Sequence, residues 1–297
     1  MMLQDILQNI VSGASIGATY GLVGLGVVFL WLTISRINFA NISSAMLGAY
    51  LFYTFYTMVK LGFFLSFVLS VGVIALYGLG LRIFIYEPIR KRGGGRLEFV
   101  VATLMLCTFW LNLIIVTYGA LPKPFPPVFG GSKDFITIGS IRIPTLYLNI
   151  YLVIAALMVL IYFILNKTLI GKSFRAAAQN REAAALMGID VKVTTSLSFV
   201  MATCVVGIAG ILLAPIYFVS LELGGGSIGV KGFASAVLGG LTNPYGTILG
   251  GISLGLLENF STLYISSTYR DIISFSVLVA VLILKPSGIF NWKGKKI

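Results

Sequence analysis

Long apolar runs separated by short polar intervals set the pattern of this chain, and one longer polar interval divides it. The apolar runs cover roughly residues 6–32, 38–59, 61–85, 99–118, 146–165, 197–219, 247–264 and 272–284. Most approach or exceed the roughly 20 residues that a helix needs to cross about 30 Å of hydrocarbon. The pattern predicts an all-α polytopic membrane protein of about eight full transmembrane helices. A further apolar piece, 231–242, is short and is framed by Gly224, Gly225 and Gly226 before it and the turn Asn243-Pro244-Tyr245-Gly246 after it. Such a segment predicts a short re-entrant or broken crossing, because irregular backbone at membrane depth survives only when protein or a cavity surrounds it. Residues 1–297 read as a single transmembrane domain. The polar interval, 166–195, is its cytoplasmic segment.

Small and polar residues mark places inside the runs. Gly13, Gly17 and Gly21 recur every fourth position on one helix face, and Gly246/Gly250 and Gly251/Gly255 repeat that spacing near the other end. Small residues so placed let helices approach closely in lipid. The second run opens on Asn38, Asn41, Ser43 and Ser44, just after Arg36. Exposed to lipid these groups would be costly, so they predict a broken span whose polar start faces the protein interior. Asn112 lies within the fourth run. The interval 119–144 contains Pro122, Pro124, Pro126 and Pro127, then two β-rich runs around Gly139-Ser140 that predict a small external hairpin.

Composition agrees with the pattern: 58% of the 297 residues are hydrophobic and 10% charged, where a soluble domain has roughly 25% charged. The net charge of +12 would suggest nucleic acid on a soluble protein. Here the basic residues gather in loops, as they do on the cytoplasmic side of membrane proteins, and no nucleic-acid partner is expected. Arg90, Lys91, Arg92 and Arg96 outnumber Glu87 and Glu98, and Lys293, Lys295 and Lys296 close the chain. Placing both of these and the 166–195 segment in the cytoplasm puts the N-terminus outside and the C-terminus inside. That arrangement requires the 231–242 piece to cross. The first ten residues contain no basic residue and do not resemble a cleaved secretory signal.

The chemistry is sparse. Histidine, the commonest general base and metal ligand, is absent from the sequence, and the nine acids form no spacing that suggests a catalytic pair. No catalytic residue, metal or cofactor is expected. Cys107 and Cys204 sit in apolar runs, where a thiol acts as a small hydrophobe. Glu222 and Glu258 suit helix-end positions; as intramembrane acids they would instead support proton-driven transport. Gly171-Lys172-Ser173 imitates the end of a phosphate-binding loop, but the glycine required five residues earlier is Asn166 and no strand precedes it. ATP, if used, is bound by another chain. Asn180 is a good N-cap, Arg181 to Met187 makes about two helical turns with Glu182 in the favourable first turn, Gly188 stops them, and Asp190 caps the next segment.

At this helix a resemblance becomes specific. The stretch NREAAALMGI resembles the Glu-Ala-Ala…Gly motif of permease subunits in bacterial ABC importers, with Glu182, Ala183, Ala184 and Gly188 at the matching positions and Arg181 beside them. The resemblance implies a coupling helix that sits in a groove of an ATPase. INFAN, YEPIR, FRAAAQNREAAALMGIDV and KGFASAVLGGLTNPYGTILGG are similar to the permeases of branched-chain amino acid importers, and more closely to the shorter of that system's two permeases. Asn41 stands where that family usually has histidine. The family implies a bacterial inner-membrane permease for leucine, isoleucine or valine. Its implied partners are a second homologous permease, two cytoplasmic ATPase subunits and an external substrate-binding protein. Related permeases carry urea, amides or other small polar solutes, and an ATP-independent secondary transporter is the alternative class. Polar or backbone-exposing groups at membrane depth need a cavity, so Asn38, Phe39, Asn41, Gly239, Gly240, Asn243 and Gly246 are the candidate translocation path.

Overall fold

A computed structural model describes residues 2–126, 128, 135–138, 141–285 and 287–290. In chain order it contains α1 (Met2–Ile34), a 3-10 turn (Phe39–Asn41), α2 (Ser43–Tyr53) with a π-helical extension (Thr54–Met58), α3 (Phe63–Gly80) with a second π-helical extension (Leu81–Tyr86), and α4 (Glu87–Lys91). Next come α5 (Arg96–Tyr118), strands β1 (Phe135–Ile138) and β2 (Ile141–Pro144), α6 (Thr145–Lys167), α7 (Leu169–Gln179), α8 (Arg181–Leu186) and α9 (Val191–Tyr217). The chain finishes with α10 (Glu222–Gly225), α11 (Ser227–Gly239), α12 (Pro244–Tyr264), a 3-10 turn (Ser267–Tyr269) and α13 (Arg270–Leu284).

Among the described residues six helices are long and apolar enough to cross a membrane: Ile6–Ile34, Phe63–Lys91, Arg96–Tyr118, Thr145–Lys167, Val191–Tyr217 and Ser267–Leu284. Two of the eight expected spans are therefore helical without qualifying. The second run is interrupted at residues 38–42, which leaves α2 with 11 residues. The seventh, α12, has 21 residues but is diluted by glycines, serines and Glu258. The short piece forms α11, which starts at Ser227 and ends at Gly239, a few residues before the expected limits. Strands β1 and β2 pair antiparallel, Phe135 opposite Pro144 and Ile138 opposite Ile141. The Gly139-Ser140 turn of the expected hairpin lies outside the described residues, as do Pro127, Lys293, Lys295 and Lys296.

Helices α1 and α9 form the centre. Their most apolar stretches are 89% and 78% buried, against 28% or less for the other four long helices. Glycine explains how α1 can be so enclosed. A Cβ on Gly17 would overlap the carbonyl oxygen of Gly251, and one on Gly251 would overlap that of Gly17. Gly13 meets Gly255 and Gly21 meets Ile248 on the same seam. Gly13, Gly17 and Gly21 thus share one interface with Gly251 and Gly255, where the backbones of α1 and α12 touch, while Gly246 and Gly250 pack on α11 at Gly239. Helix α2 nests on α9 in the same way, with Gly48 against Gly207. Asn112 does not enter this core. It lies on α5 and donates to Thr108 O at 2.8 Å, so its own helix meets part of its hydrogen-bonding need.

Candidate functional site

The polar interval folds into two capped helices. Thr168 Oγ1 accepts from Gly171 N at 3.4 Å to start α7, whose Gly171, Phe174 and Ala177 turn inward. Asn180 Oδ1 then accepts from Glu182 N and Ala183 N, both at 3.0 Å, and starts α8. Gly188, with φ of 83°, ends it. Gly188 N donates to Ala185 O and Ile189 N to Ala184 O, both at 3.1 Å. This pair of bonds is the Schellman arrangement, which satisfies the last helical carbonyls and requires a left-handed residue. Asp190 Oδ1 accepts from Lys192 N at 2.8 Å and Val193 N at 3.1 Å, which starts α9. The caps at Asn180, Gly188 and Asp190 follow the expectation, and α8 ends one residue earlier than expected, with Met187 as its C-cap.

The side chains of α8 divide into two sets. Glu182, Ala183 and Ala185 are exposed, and Leu186 and Met187 are 89% and 83% exposed. Ala184 is buried. Arg181 turns inward: its guanidinium donates to Tyr86 OH and to Thr195 Oγ1, both at 2.8 Å, and lies over the Tyr86 ring. Arg181 therefore fastens α8 to the bundle, and the surface open to a partner is Glu182, Ala183, Ala185, Leu186 and Met187. Sequence reasoning misses the apolar Leu186 and Met187, because they look like ordinary helix-filling residues.

The predicted path residues fall into two groups that do not meet. In the first, Asn38 Oδ1 accepts from Asn41 N at 3.2 Å and closes the 3-10 turn ahead of α2. Asn38, Asn41, Ser43 and Ser44 are all buried, and Phe39 is half-buried. The amide nitrogens of Asn38 and Asn41, the Asn41 Oδ1 and the hydroxyls of Ser43 and Ser44 have no hydrogen-bond partner among the described residues. Native proteins satisfy most buried polar groups, so this cluster is unusual. Asn41 lies beside Gly26 of α1 and Val206 of α9.

The second group joins α11 to α12. Gly240 has φ of 91°, and Gly239 and Gly246 face each other so closely that a Cβ on either would overlap the other arm of the turn. Asn243 Oδ1 caps α12 through Tyr245 N at 3.1 Å. These residues make a tight backbone turn. Gly24 of α1 meets Ser235 and Thr247 on this side, while Gly26 meets Asn41 on the other. Two residues apart on a helix point to nearly opposite faces, so α1 stands between the two groups. The turn instead adjoins the polar interval. Tyr245 OH accepts from Asn166 Nδ2 at 2.7 Å, and a cavity of about 200 Å³ is lined by Phe174, Arg175, Thr242 and Tyr245 together with Phe29 and Thr33 of α1.

The acids also differ from expectation. Glu222 is exposed at the start of α10, the helix-end position expected. Glu258 is not at a helix end. It is fully buried and ion-paired to Lys231 and Arg270. A carboxylate committed to two cations serves as their counter-ion.

A bundle of apolar helices with polar groups buried at a broken helix, and a capped helical pair beside it, is the architecture of an all-α polytopic membrane protein. Residues 9–282 match the family described as "Branched-chain amino acid transport system / permease component", and the chain belongs to that family. It is 29% identical to the high-affinity branched-chain amino acid transport system permease protein LivH of Escherichia coli K12 over 96% of this chain and 95% of that one. It is 28% identical to the corresponding protein BraD of Pseudomonas aeruginosa, with the same shares covered. Similarity to the ribose import permease protein RbsC of Haemophilus influenzae is 26% over 64% of this chain and 60% of that one. No solved structure matches the chain.

Proposed function

We propose that this chain is one permease half of an ATP-driven importer in a bacterial inner membrane, carrying leucine, isoleucine or valine inward. A second homologous permease completes the pathway, two cytoplasmic ATPases supply the work, and an external binding protein delivers the substrate. The observation that carries the reading is α8: a short helix, capped at both ends and exposed along one side, in a chain of a transport-permease family.

In this reading the six long helices and α2, α11 and α12 make nine crossings. An odd number puts the termini on opposite sides, and the basic residues of the 87–96 loop place the N-terminus outside and the C-terminus in the cytoplasm, with α7 and α8 on the cytoplasmic side. ATP binding moves the ATPases, which hold Glu182, Ala183 and the apolar pair Leu186 and Met187. Because Arg181 ties α8 to Tyr86 and Thr195, the motion passes into α9 and the end of α3. Through Asn166 and Tyr245 it also reaches the turn at Gly239, Gly240, Asn243 and Gly246. The buried polar start of α2 (Asn38, Phe39, Asn41) is the stretch of pathway that this motion opens, a discrete switch between packed states.

The test is reconstitution of the four kinds of subunit in proteoliposomes, with uptake of labelled leucine, isoleucine, valine and urea compared. ATP-dependent accumulation of the three branched-chain amino acids supports the proposal. Uptake of urea alone would move the chain to the amide-type relatives, and uptake without ATP would refute the ATP-driven reading.

A further inference from the structure

Four charged side chains form a connected cluster at the end of the bundle away from α7 and α8. Lys231 Nζ lies 2.5 Å from Glu258 Oε1 and 2.7 Å from Asp271 Oδ1. Arg270 Nη2 lies 2.8 Å from Glu258 Oε2, and its Nε donates to the same oxygen at 3.0 Å. Ser274 donates to Glu258 Oε1 at 2.9 Å, and Tyr20 OH to Oε2 at 3.2 Å. Arg270 also donates to Tyr217 OH at 2.6 Å, which in turn lies 2.8 Å from Tyr20 OH. The two cations and two anions cancel. The Glu258 side chain is 0% and that of Lys231 3% exposed, while Arg270 and Asp271 reach the surface at 25% and 49%.

The placement of this quartet is what gives it meaning. It joins α1, α9, α11, α12 and α13 through Tyr20, Tyr217, Lys231, Glu258 and Arg270. Helix α9 begins next to α8 and ends at Tyr217, and its 27 residues span about 40 Å at 1.5 Å per residue. The quartet and the α7–α8 segment therefore occupy opposite ends of the bundle. Helix α13 buries only Ser274 and Leu278, so its attachment at this end is made mainly through the charges. Helix α11, which bears Lys231, also touches the residue that opens α2, with Gly229 pressed on Ile42.

Buried ion pairs behave as two-state elements. Formed, they exclude water; separated, all four charges must be hydrated, and intermediate separations are unfavourable because each ion is then neither paired nor solvated. We infer that Lys231, Glu258, Arg270 and Asp271 form the latch that closes the pathway at the end opposite the coupling segment, with Lys231 and Glu258 as its positioning residues. Moving α11 away from α12 and α13 breaks the latch and uncovers Ile42, which Gly229 covers in the closed state. The latch rests on the permease reading only for the identity of what it closes.

The experiment uses the assembled transporter in oriented vesicles. Ile42→Cys is placed in a chain carrying Cys107→Ala and Cys204→Ala, and a membrane-impermeant maleimide is added on the side opposite the ATPases. Lys231→Met and Glu258→Gln should raise the labelling rate at position 42 by about tenfold or more, because each removes two of the three ion pairs that hold the closed state. Lys231→Arg, which keeps the charge, should label at the background rate. If Lys231→Met does not assemble, Asp271→Asn at the half-exposed edge supplies the same test with a smaller rise. Labelling at the background rate in an assembled Lys231→Met or Asp271→Asn transporter, or an equal rise in Lys231→Arg, overturns the latch. The readout is independent of substrate, so a transporter that labels as expected but moves no branched-chain amino acid would refute the substrate reading and leave the latch standing.

Discussion

The seam between α1 and α12 makes a quantitative prediction through Gly251→Ala. A Cβ at position 251 would overlap Gly17 O and Gly21 N and lie 2.7 Å from Gly21 Cα. Non-bonded carbon atoms prefer about 3.5–4.0 Å, so the helices must separate by roughly 1 Å. The obstruction is backbone on both sides, and no side chain can rotate away from it. Overpacking of this kind costs about 1–3 kcal/mol, and the higher helix propensity of alanine returns up to about 1 kcal/mol. The net loss of about 1–2 kcal/mol corresponds to a fall in Tm of roughly 2–8 °C by the usual scaling for domains of this size. Thermal unfolding in detergent, followed by tryptophan fluorescence, measures it. Gly72→Ala is the control, since its Cβ would meet nothing within 4 Å, and it should be neutral or slightly stabilising. Gly17→Ala combined with Gly251→Ala should cost less than the sum, because the same gap is opened once. A Tm for Gly251→Ala equal to or above that of Gly72→Ala would refute the close backbone contact.

Three further outcomes concern the candidate sites. Asn180→Ala removes the acceptor for two amides and should cost about 1 kcal/mol of helix stability; hydrogen exchange at Glu182 and Ala183 should quicken while α9 is unchanged. Gly188→Val places a β-branched residue at φ of 83°, a conformation that costs about 1–2 kcal/mol, and should lower transport per ATP hydrolysed more than it lowers Tm. Asn41→Leu replaces a buried amide whose Oδ1 and Nδ2 have no partner among the described residues. It should leave Tm unchanged or higher, since removing an unsatisfied buried group is not destabilising, while raising the KM for uptake; unchanged uptake kinetics would remove Asn41 from the pathway.

The features legible in the sequence are local. A cap and the amides it binds lie within three residues, and a Schellman glycine within a few of the carbonyls it serves, so the limits of α8 can be read from Asn180, Gly188 and Asp190. The glycine seam is legible for a related reason, because its spacing lies within single helices, although the partner of each glycine does not. The ion-pair quartet is not legible. Tyr20 and Glu258 are 238 residues apart, and no periodicity connects them. Glu258 alone resembles a helix-end acid, and Lys231 one more basic residue, until folding brings them to 2.5 Å. Arg181 misleads for a different reason. It stands beside the family motif, but whether a long side chain turns toward a partner or back onto Tyr86 depends on tertiary packing. The path residues fail as one group because α1 passes between them, a matter of helix order in space.

The proposed function requires that α8 receive work from an ATPase bound to the exposed face that includes Glu182. ATP hydrolysis by the reconstituted transporter, with and without the loaded binding protein, tests this dependence in the native chain and in Glu182→Lys. The native transporter should be stimulated by the loaded binding protein. Glu182→Lys should fold with a native Tm, because Glu182 is exposed, yet lose that stimulation and the accompanying uptake. Full stimulation and uptake in Glu182→Lys would contradict the coupling role of α8.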